Sequence, residues 1–250
     1  MTFFWYIRRP KLYSALIDLI LRSFFLTNKD NDQNKSNALK WCEDKCISKN
    51  QFYLELGLSH PVAFNDIAGQ DYFKRLNSRI SLSNSDFGGP GDVDLLYNII
   101  EYFEFNNVVE TGVAYGFSSS AILHSLKKRG GKLISIDMPM PKQSDYHLIG
   151  TAVCKEHMSS WTLIREPDKT GLLKAIKKLN EVDLFHYDSD KNYYGREFAF
   201  PVMLKALKEG GFLISDDIED NLHFKDFVKV NDLKYWVTKI DGKFVGVIRK

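Results

Sequence analysis

From Asp92 onward the chain alternates between two rhythms. Short apolar runs, "NVVETG", "KLISID", "WTLI", "VDLFHY" and "GFLISD", have the length and β-branched content of buried strands. Between them lie stretches with apolar residues at helical spacing: "GFSSSAILHSLKK", "LIGTAVCKEHM", "TGLLKAIKKL" and "REFAFPVMLKALKE", the last with Pro201 inside it. "DVDLLYNIIEYF" precedes the first strand as a helix, and "LHFKDFVKV" follows the fifth. Strands alternating with helices imply a mostly parallel α/β sheet covered on both faces, a doubly wound arrangement. The tail "KYWVTKIDGKFVGVIRK" changes rhythm: two apolar runs flank Asp241-Gly242, a strong hairpin signal. The sheet is therefore expected to end in an antiparallel hairpin.

The first third reads differently. Pro10 suits a helix start, and Leu12, Ala15, Leu16, Leu19, Ile20 and Phe24 fall near one face of a helix over about residues 10–26. Asp18 and Arg22 interrupt this segment, so it is neither a membrane span nor a signal peptide. It packs on its own domain or a second subunit, or it lies on an anionic membrane surface with Arg8, Arg9, Lys11 and Arg22 contributing charge. Residues 27–36, "TNKDNDQNKS", hold no apolar side chain and read as a linker; Ser36–Ser48 reads as a short helix. "SLSNSDFGGPGD" is turn chemistry, which puts a helical extension at 1–84 and the main domain at 85–250.

Composition narrows the classes. The 250 residues carry 34 basic and 32 acidic side chains, a net charge of +2, which gives no reason to expect a nucleic-acid partner. Cys42, Cys46 and Cys154 make no disulfide framework and read as free thiols of a reducing, cytoplasmic compartment. "CEDKC" lacks a nearby histidine or third cysteine and reads as a helix with two small apolar residues rather than a zinc site.

Ligands of open α/β sheets bind beyond the carboxyl ends of the strands. The first strand ends in Glu110, Gly112 and Gly116, within "ETGVAYGFSSS"; the second ends in Asp137. The fourth ends in Asp188, Asp190 and Lys191, and the fifth in Asp216 and Asp217. Gly-x-x-x-Gly is not the spacing of a dinucleotide pyrophosphate loop, which disfavours an oxidoreductase. Asp137 is placed to accept from ribose hydroxyls. Tyr115, Phe117, Tyr193 and Tyr194 cluster near these loops, as stacking or as packing residues.

"VVETGVAYGFSSSAIL", "LISID", "VDLFHYDSDKNYYGREFAFPVMLKALKEGGFLISDDI" and the final hairpin resemble a class I S-adenosylmethionine-dependent methyltransferase with a Rossmann-like sheet. The nearest group is the methyltransferase-24-like branch, with its sugar and natural-product O-methyltransferases, related to the catechol and caffeoyl-CoA enzymes. The resemblance spans about Gly91 to Lys250 and is most specific from Val182 to Ile218. It implies that Glu110, Gly112 and Gly116 hold the methionine part of the cofactor, with Tyr115 beside them. Ser118 and Ser119 would bond its carboxylate and Asp137 its ribose, with Glu166 or Asp168 near the adenine. Asp188, Asp216 and Asp217 would hold a divalent cation, Mg²⁺ by the hardness of oxygen ligands. That cation would bind the acceptor's hydroxyls and acidify one.

In many sugar-modifying relatives a histidine stands where this chain has Lys191; lysine there resembles the catechol and caffeoyl-CoA enzymes. Lys191 is then the catalytic base beside Asp188, or a charge partner of the acids. His186 and His223 are further candidates, and Asp190 reads as a supporting acid or helix cap. The expected activity is O-methylation of a glycan, sugar or other small molecule. The alternatives are an accessory protein with this fold, docked on a membrane or partner, or a dinucleotide oxidoreductase. Peripheral contact with the inner membrane face and a homodimer, both through residues 10–26, are the partner expectations.

Overall fold

A computed structural model describes residues 2–25, 29–81, 86–141 and 145–250. The boundary expected at 84/85, the end of the helix at residue 26 and the linker positions 27 and 28 lie outside the described residues, as does the Phe24 side chain.

The N-terminal third is helical: α1 (Thr2–Ile7), α2 (Tyr13–Phe25), α3 (Asp32–Lys45), α4 (Lys49–Glu55), α5 (Phe64–Ala68) and α6 (Gln70–Ile80). A single 3-10 turn opens α2 at Pro10, and α1 before it adds to the expected helix. α3 starts at Asp32 rather than Ser36, because the Asn31 side chain accepts from the Asn34 backbone N–H at 2.9 Å. A polar composition alone does not make a linker when a cap is present. Among the described residues no helix is long and apolar enough to cross a membrane.

Helix α7 (Val93–Tyr102) leads into β1 (Asn107–Thr111), α8 (Phe117–Leu126), β2 (Lys132–Ile136) and β3 (Trp161–Ile164). Then follow α9 (Asp168–Leu179), β4 (Val182–Tyr187), α10 (Tyr193–Ala206), β5 (Leu207–Ser215), α11 (His223–Val230), β6 (Lys234–Ile240) and β7 (Lys243–Arg249). The strand order is β3-β2-β1-β4-β5-β7-β6. β1 to β5 pair in parallel, and β7 inserts antiparallel between β5 and β6. This is the doubly wound, mostly parallel α/β sheet with a terminal hairpin. Asp241 and Gly242 both take positive φ, as a two-residue hairpin turn requires. The antiparallel strand is the penultimate one, and β6 forms the edge. That edge is covered: Ile47 N–H donates to Val237 O at 2.9 Å, and Trp236 Nε1 donates to Glu55 Oε2 at 2.7 Å.

Side chains alternate across the sheet. Val109, Phe185 and Leu213 pack under α9 and α10 with Leu172, Ala199 and Phe200. Val108, Leu184 and Phe212 face α7, α8 and α4 with Leu95, Ile122 and Phe52. Each such side chain contributes about 1.5–3 kcal/mol of apolar burial. A third cluster, Phe64, Tyr72, Leu76, Tyr97 and Ala121, fixes α5 and α6 onto α7 and α8.

Two expected helices change. "LIGTAVCKEHM" forms no α-helix; the chain makes 3-10 turns at Tyr146–Leu148 and Lys155–Ser160. Gly150, at φ +74°, lies against the Trp161 ring, and Gly150 and Ala152 donate to the carbonyls of Ala114 and Tyr115 at 3.0 and 2.8 Å. A helix there would break both bonds. The helix expected to reach Glu209 ends at Ala206, because Leu207 pairs with Val182 across a register shift and starts β5 early.

Candidate active site

The parallel strands present their loops on one edge, and backbone hydrogen bonds stitch these loops together. Gly112 N–H donates to Ile136 O at 2.9 Å, Asp137 to Ile164 O at 3.0 Å, Asp188 to Thr111 O at 2.9 Å and Asp216 to Tyr187 O at 3.1 Å. Gly112 has φ +79°, and a Cβ there would run into the Asp188 carbonyl, so the β1 and β4 loops touch only because this residue is glycine.

Two cavities open on this edge. The larger, about 580 Å³, is lined by Gly112, Asp137, Asp168, Ser189, Asp190 and Lys191 and roofed by Ala15, Asp18, Leu19 and Arg22 of α2. Asp137 Oδ2 accepts from the backbone N–H of Val113 at 3.0 Å and of Ala114 at 3.2 Å; its Oδ1 accepts from Arg165 at 3.1 Å. Burial raises its pKa against these three donors. Burial likewise pushes Asp168 up to about 6, although Ser189 Oγ donates to it at 2.5 Å. The roof is held by ion pairs, Lys169–Asp18 at 2.5 Å and Arg22–Asp190 at 2.6 Å.

The smaller cavity, about 190 Å³, is lined by Asp188, Lys191, Asp216, Asp217, Lys243 and Ser118, among others. Lys191 Nζ lies 2.8 Å from Asp188 Oδ1 and also bonds Asp217, which Lys243 meets at 3.1 Å. Burial opposes the charge of Lys191, but Asp188 and Asp217 outweigh it and raise its pKa. Asp217 is held low by the same pairing, against burial. Burial, with Asp216 nearby, pushes Asp188 up to about 6, against Lys191 and His186. Beneath the cavity His186, 2% exposed, lies 3.5 Å from both Glu110 Oε1 and Asp216 Oδ2. Burial lowers its pKa, yet the two carboxylates win and carry it to about 10, so it is a buried imidazolium.

The structure thus brings Gly112, Asp137, Asp168 and Lys191 to one cavity and Ser118, Asp188, Lys191, Asp216 and Asp217 to the other. Glu110, Ser119, Gly116 and Tyr115 line neither. Glu110 is fully buried and accepts from Ser119 Oγ at 2.5 Å and Ser135 Oγ at 2.7 Å, so it faces the interior beside His186 rather than a ligand. Gly116 takes a left-handed conformation at the start of α8, packed on Gly150. Tyr115 is buried between Phe87 and Phe117. Glu166 is held by Lys174 and lines neither cavity. His223 sits between Tyr193, Phe200 and Phe227, and burial lowers its pKa to about 3. Arg165, Lys243 and the roof residues Asp18 and Arg22 were not marked by any motif; only tertiary contacts reveal them.

The acids do not form a cation cage as they stand. Among the described residues, the His, Cys, Asp or Glu group whose ligand atoms lie within 4.8 Å of one another is His124, Cys154 and His157, not Asp188, Asp216 and Asp217. The ammonium of Lys191 takes the place between Asp188 and Asp217 that an ion would need, and Asp216 turns to His186. The expected divalent ion does not fit this arrangement.

Residues 109–218 match a family model described as a methyltransferase domain, methyltransferase-24. No curated protein matches the chain. Solved structures share the fold at low identity. An O-methyltransferase from Bacillus cereus, in complex with S-adenosylhomocysteine, has TM-score 0.53 at 14% identity, over 84% of this chain and 100% of that one. A putative caffeoyl-CoA O-methyltransferase from Staphylococcus aureus has TM-score 0.56 at 14% identity, over 75% and 96%. An S-adenosylhomocysteine-bound methyltransferase from Podospora anserina has TM-score 0.54 at 12% identity, over 88% and 96%. Residues 109–218 are thus similar to the methyltransferase-24 domain, and the chain shares its fold with solved methyltransferases.

Proposed function

We propose that this chain is an S-adenosylmethionine-dependent O-methyltransferase acting on a hydroxyl of a glycan, a sugar or another small molecule. The observation that carries this reading is Lys191, which lines both cavities, so that a cofactor in one and an acceptor in the other meet at a single side chain. When bound, S-adenosylmethionine supplies a methyl group on a cationic sulfur, whose C–S bond breaks as the acceptor's O–C bond forms.

Asp137 keeps one acceptor site, on Oδ1, for a ribose hydroxyl, and the Gly112 turn lets the backbone approach the ligand. In the smaller cavity Asp188 is the base that takes the hydroxyl proton. Lys191 stays protonated, so it serves as a hydrogen-bond donor and charge partner and not as the base. The reading assigns no step to a divalent ion. A putative caffeoyl-CoA O-methyltransferase of similar fold supports a hydroxylated acceptor class, and the aspartates and lysines among the residues lining the smaller cavity support it further.

Isothermal titration with S-adenosylmethionine, with NAD as control, tests the cofactor. Micromolar binding of the first alone supports the reading; no binding to folded protein rejects it. Methyl transfer that does not respond to added Mg²⁺ is expected.

The outer side of α1 and α2 exposes Ile7, Tyr13, Ile17, Ile20 and Leu21 beside Arg8, Arg9 and Lys11. Apolar and basic groups together suit an anionic bilayer surface. The same helix roofs the larger cavity, so cosedimentation with anionic vesicles, measured with and without S-adenosylmethionine, tests this contact.

A further inference from the structure

A second group of ligand-type side chains lies away from both cavities. His124 stands near the end of α8; Cys154 and His157 lie before β3, in "CKEH". One ligand atom from each falls within 4.8 Å of the others. His157 is 1% exposed, and neither of its ring nitrogens has a hydrogen-bond partner. A buried imidazole with both nitrogens unsatisfied is costly and calls for an explanation. The His124 ring lies 4.5 Å from the His157 ring, centroid to centroid. His124 Nδ1 lies 2.8 Å from the Ser120 carbonyl oxygen, to which it donates. That bond orients the ring with Nε2 as the nitrogen turned away from Ser120, the arrangement usual for a metal-bound histidine.

We propose that His124, Cys154 and His157 bind a transition-metal ion, Zn²⁺ by donor chemistry, as a structural site separate from the active site. Two imidazoles and a thiol select borderline ions over Mg²⁺ or Ca²⁺. Bonds of about 2.0–2.3 Å put tetrahedral ligand atoms about 3.5 Å apart, so the cluster needs to close by no more than about 1.3 Å on binding. Burial, followed by the neighbouring His124, keeps His157 neutral and able to donate a lone pair. The fourth position falls to water or to Glu156, whose Oε1 lies 3.8 Å from His157 Nε2 and 3.0 Å from Lys127 Nζ.

The site would tie three parts of the fold together. Phe64 and Tyr72 pack edge-on against His124, which links it to α5 and α6. Residues 150–152 hold the carbonyls of Ala114 and Tyr115 in the glycine turn of β1. An ion joining Cys154 and His157 to α8 would stiffen that turn from behind.

The test is titration of metal-free, reduced protein with Co²⁺, read by the near-ultraviolet thiolate-to-cobalt charge-transfer band. One equivalent of Co²⁺ with that band is expected, displaced by Zn²⁺. Cys154→Ser is expected to lose the band, and His157→Gln to bind at least tenfold more weakly. The band separates this site from the carboxylates of the active site, which have no sulfur to give it. No band from folded wild-type protein overturns the proposal. So does a band that survives Cys154→Ser, which would assign it to Cys42 or Cys46. If either variant does not fold, protection of one thiol of the wild-type protein from a thiol reagent by Zn²⁺ decides; the absence of protection overturns the proposal.

Discussion

The acids at the ends of β4 and β5 and the His-Cys cluster behind α8 handle buried polar groups in opposite ways. Asp188 and Asp217 are neutralised from within, by Lys191 and Lys243, and Asp216 by His186. Neither ring nitrogen of His157 makes a hydrogen bond, and Glu156, 3.8 Å from Nε2, is turned to Lys127. The first cluster carries its own cations, although Asp188 Oδ1, Glu110 Oε1 and His186 Nδ1 still lack hydrogen bonds. The second is chemically incomplete, and the missing partner has the character of a soft-to-borderline cation. On this proposal a count of carboxylates alone does not locate an ion, because Lys191, three residues from Asp188, stands between Asp188 and Asp217, while a thiol and two imidazoles have no internal substitute.

Removing the internal cation breaks the comparison most directly. Lys191→Ala is expected to lower methyl transfer by about 10²–10³-fold, the range for losing one charged hydrogen-bond donor at the reacting centre. The same variant leaves Asp188 and Asp217 short of a partner, so it is expected to bind Mn²⁺ more tightly than the wild type, read by calorimetry. Equal affinity in the two would count against the substitution of lysine for an ion. Asp217→Ala should lower turnover while cofactor affinity stays unchanged in the same titration.

A pH profile sharpens the assignment of the base. The raised pKa of Asp188, about 6, means that the carboxylate form is lost below that pH. Methyl transfer should then fall about tenfold per pH unit below 6 and level off above it. Asp188→Asn should abolish this limb with the residual activity; a limb that persists would assign it to another group.

Asp137→Ala is expected to weaken S-adenosylmethionine binding by roughly 10–100-fold, the range for hydrogen bonds to a charged acceptor. Unchanged affinity would remove Asp137 from the cofactor cavity. The smallest effect is expected at the other cluster. In metal-free protein His157→Leu removes two unsatisfied nitrogens and should change stability by less than about 1 kcal/mol, measured by denaturant unfolding. A large loss would mean that His157 has a partner in solution.

The alternation of apolar runs made the sheet legible, and Asp241-Gly242 located its hairpin, because both signals are local. Asp137, Asp188, Asp216 and Asp217 were legible for the same reason: a strand that ends in acids puts them on the ligand edge. Glu110 was misleading by one step of the same rule. It lies one residue before the end of β1 and points inward to Ser119, Ser135 and His186. Strand periodicity fixes which side of the sheet a residue takes only once the register and the covering helix are known. The residues 148–158 failed similarly, since a helical apolar pattern was overruled by Gly150 against Trp161 and by bonds to the glycine turn.

The sequence by itself determined the doubly wound sheet, its terminal hairpin and the line of acids along one edge, all set by residues within a few positions of each other. Tertiary structure alone decided that α2 roofs the larger cavity through Asp18 and Arg22, that Lys191 stands where an ion was expected, and that His124 meets Cys154 and His157. Each of these joins groups far apart in the chain or depends on side-chain direction, and spacing along the chain carries no information about either.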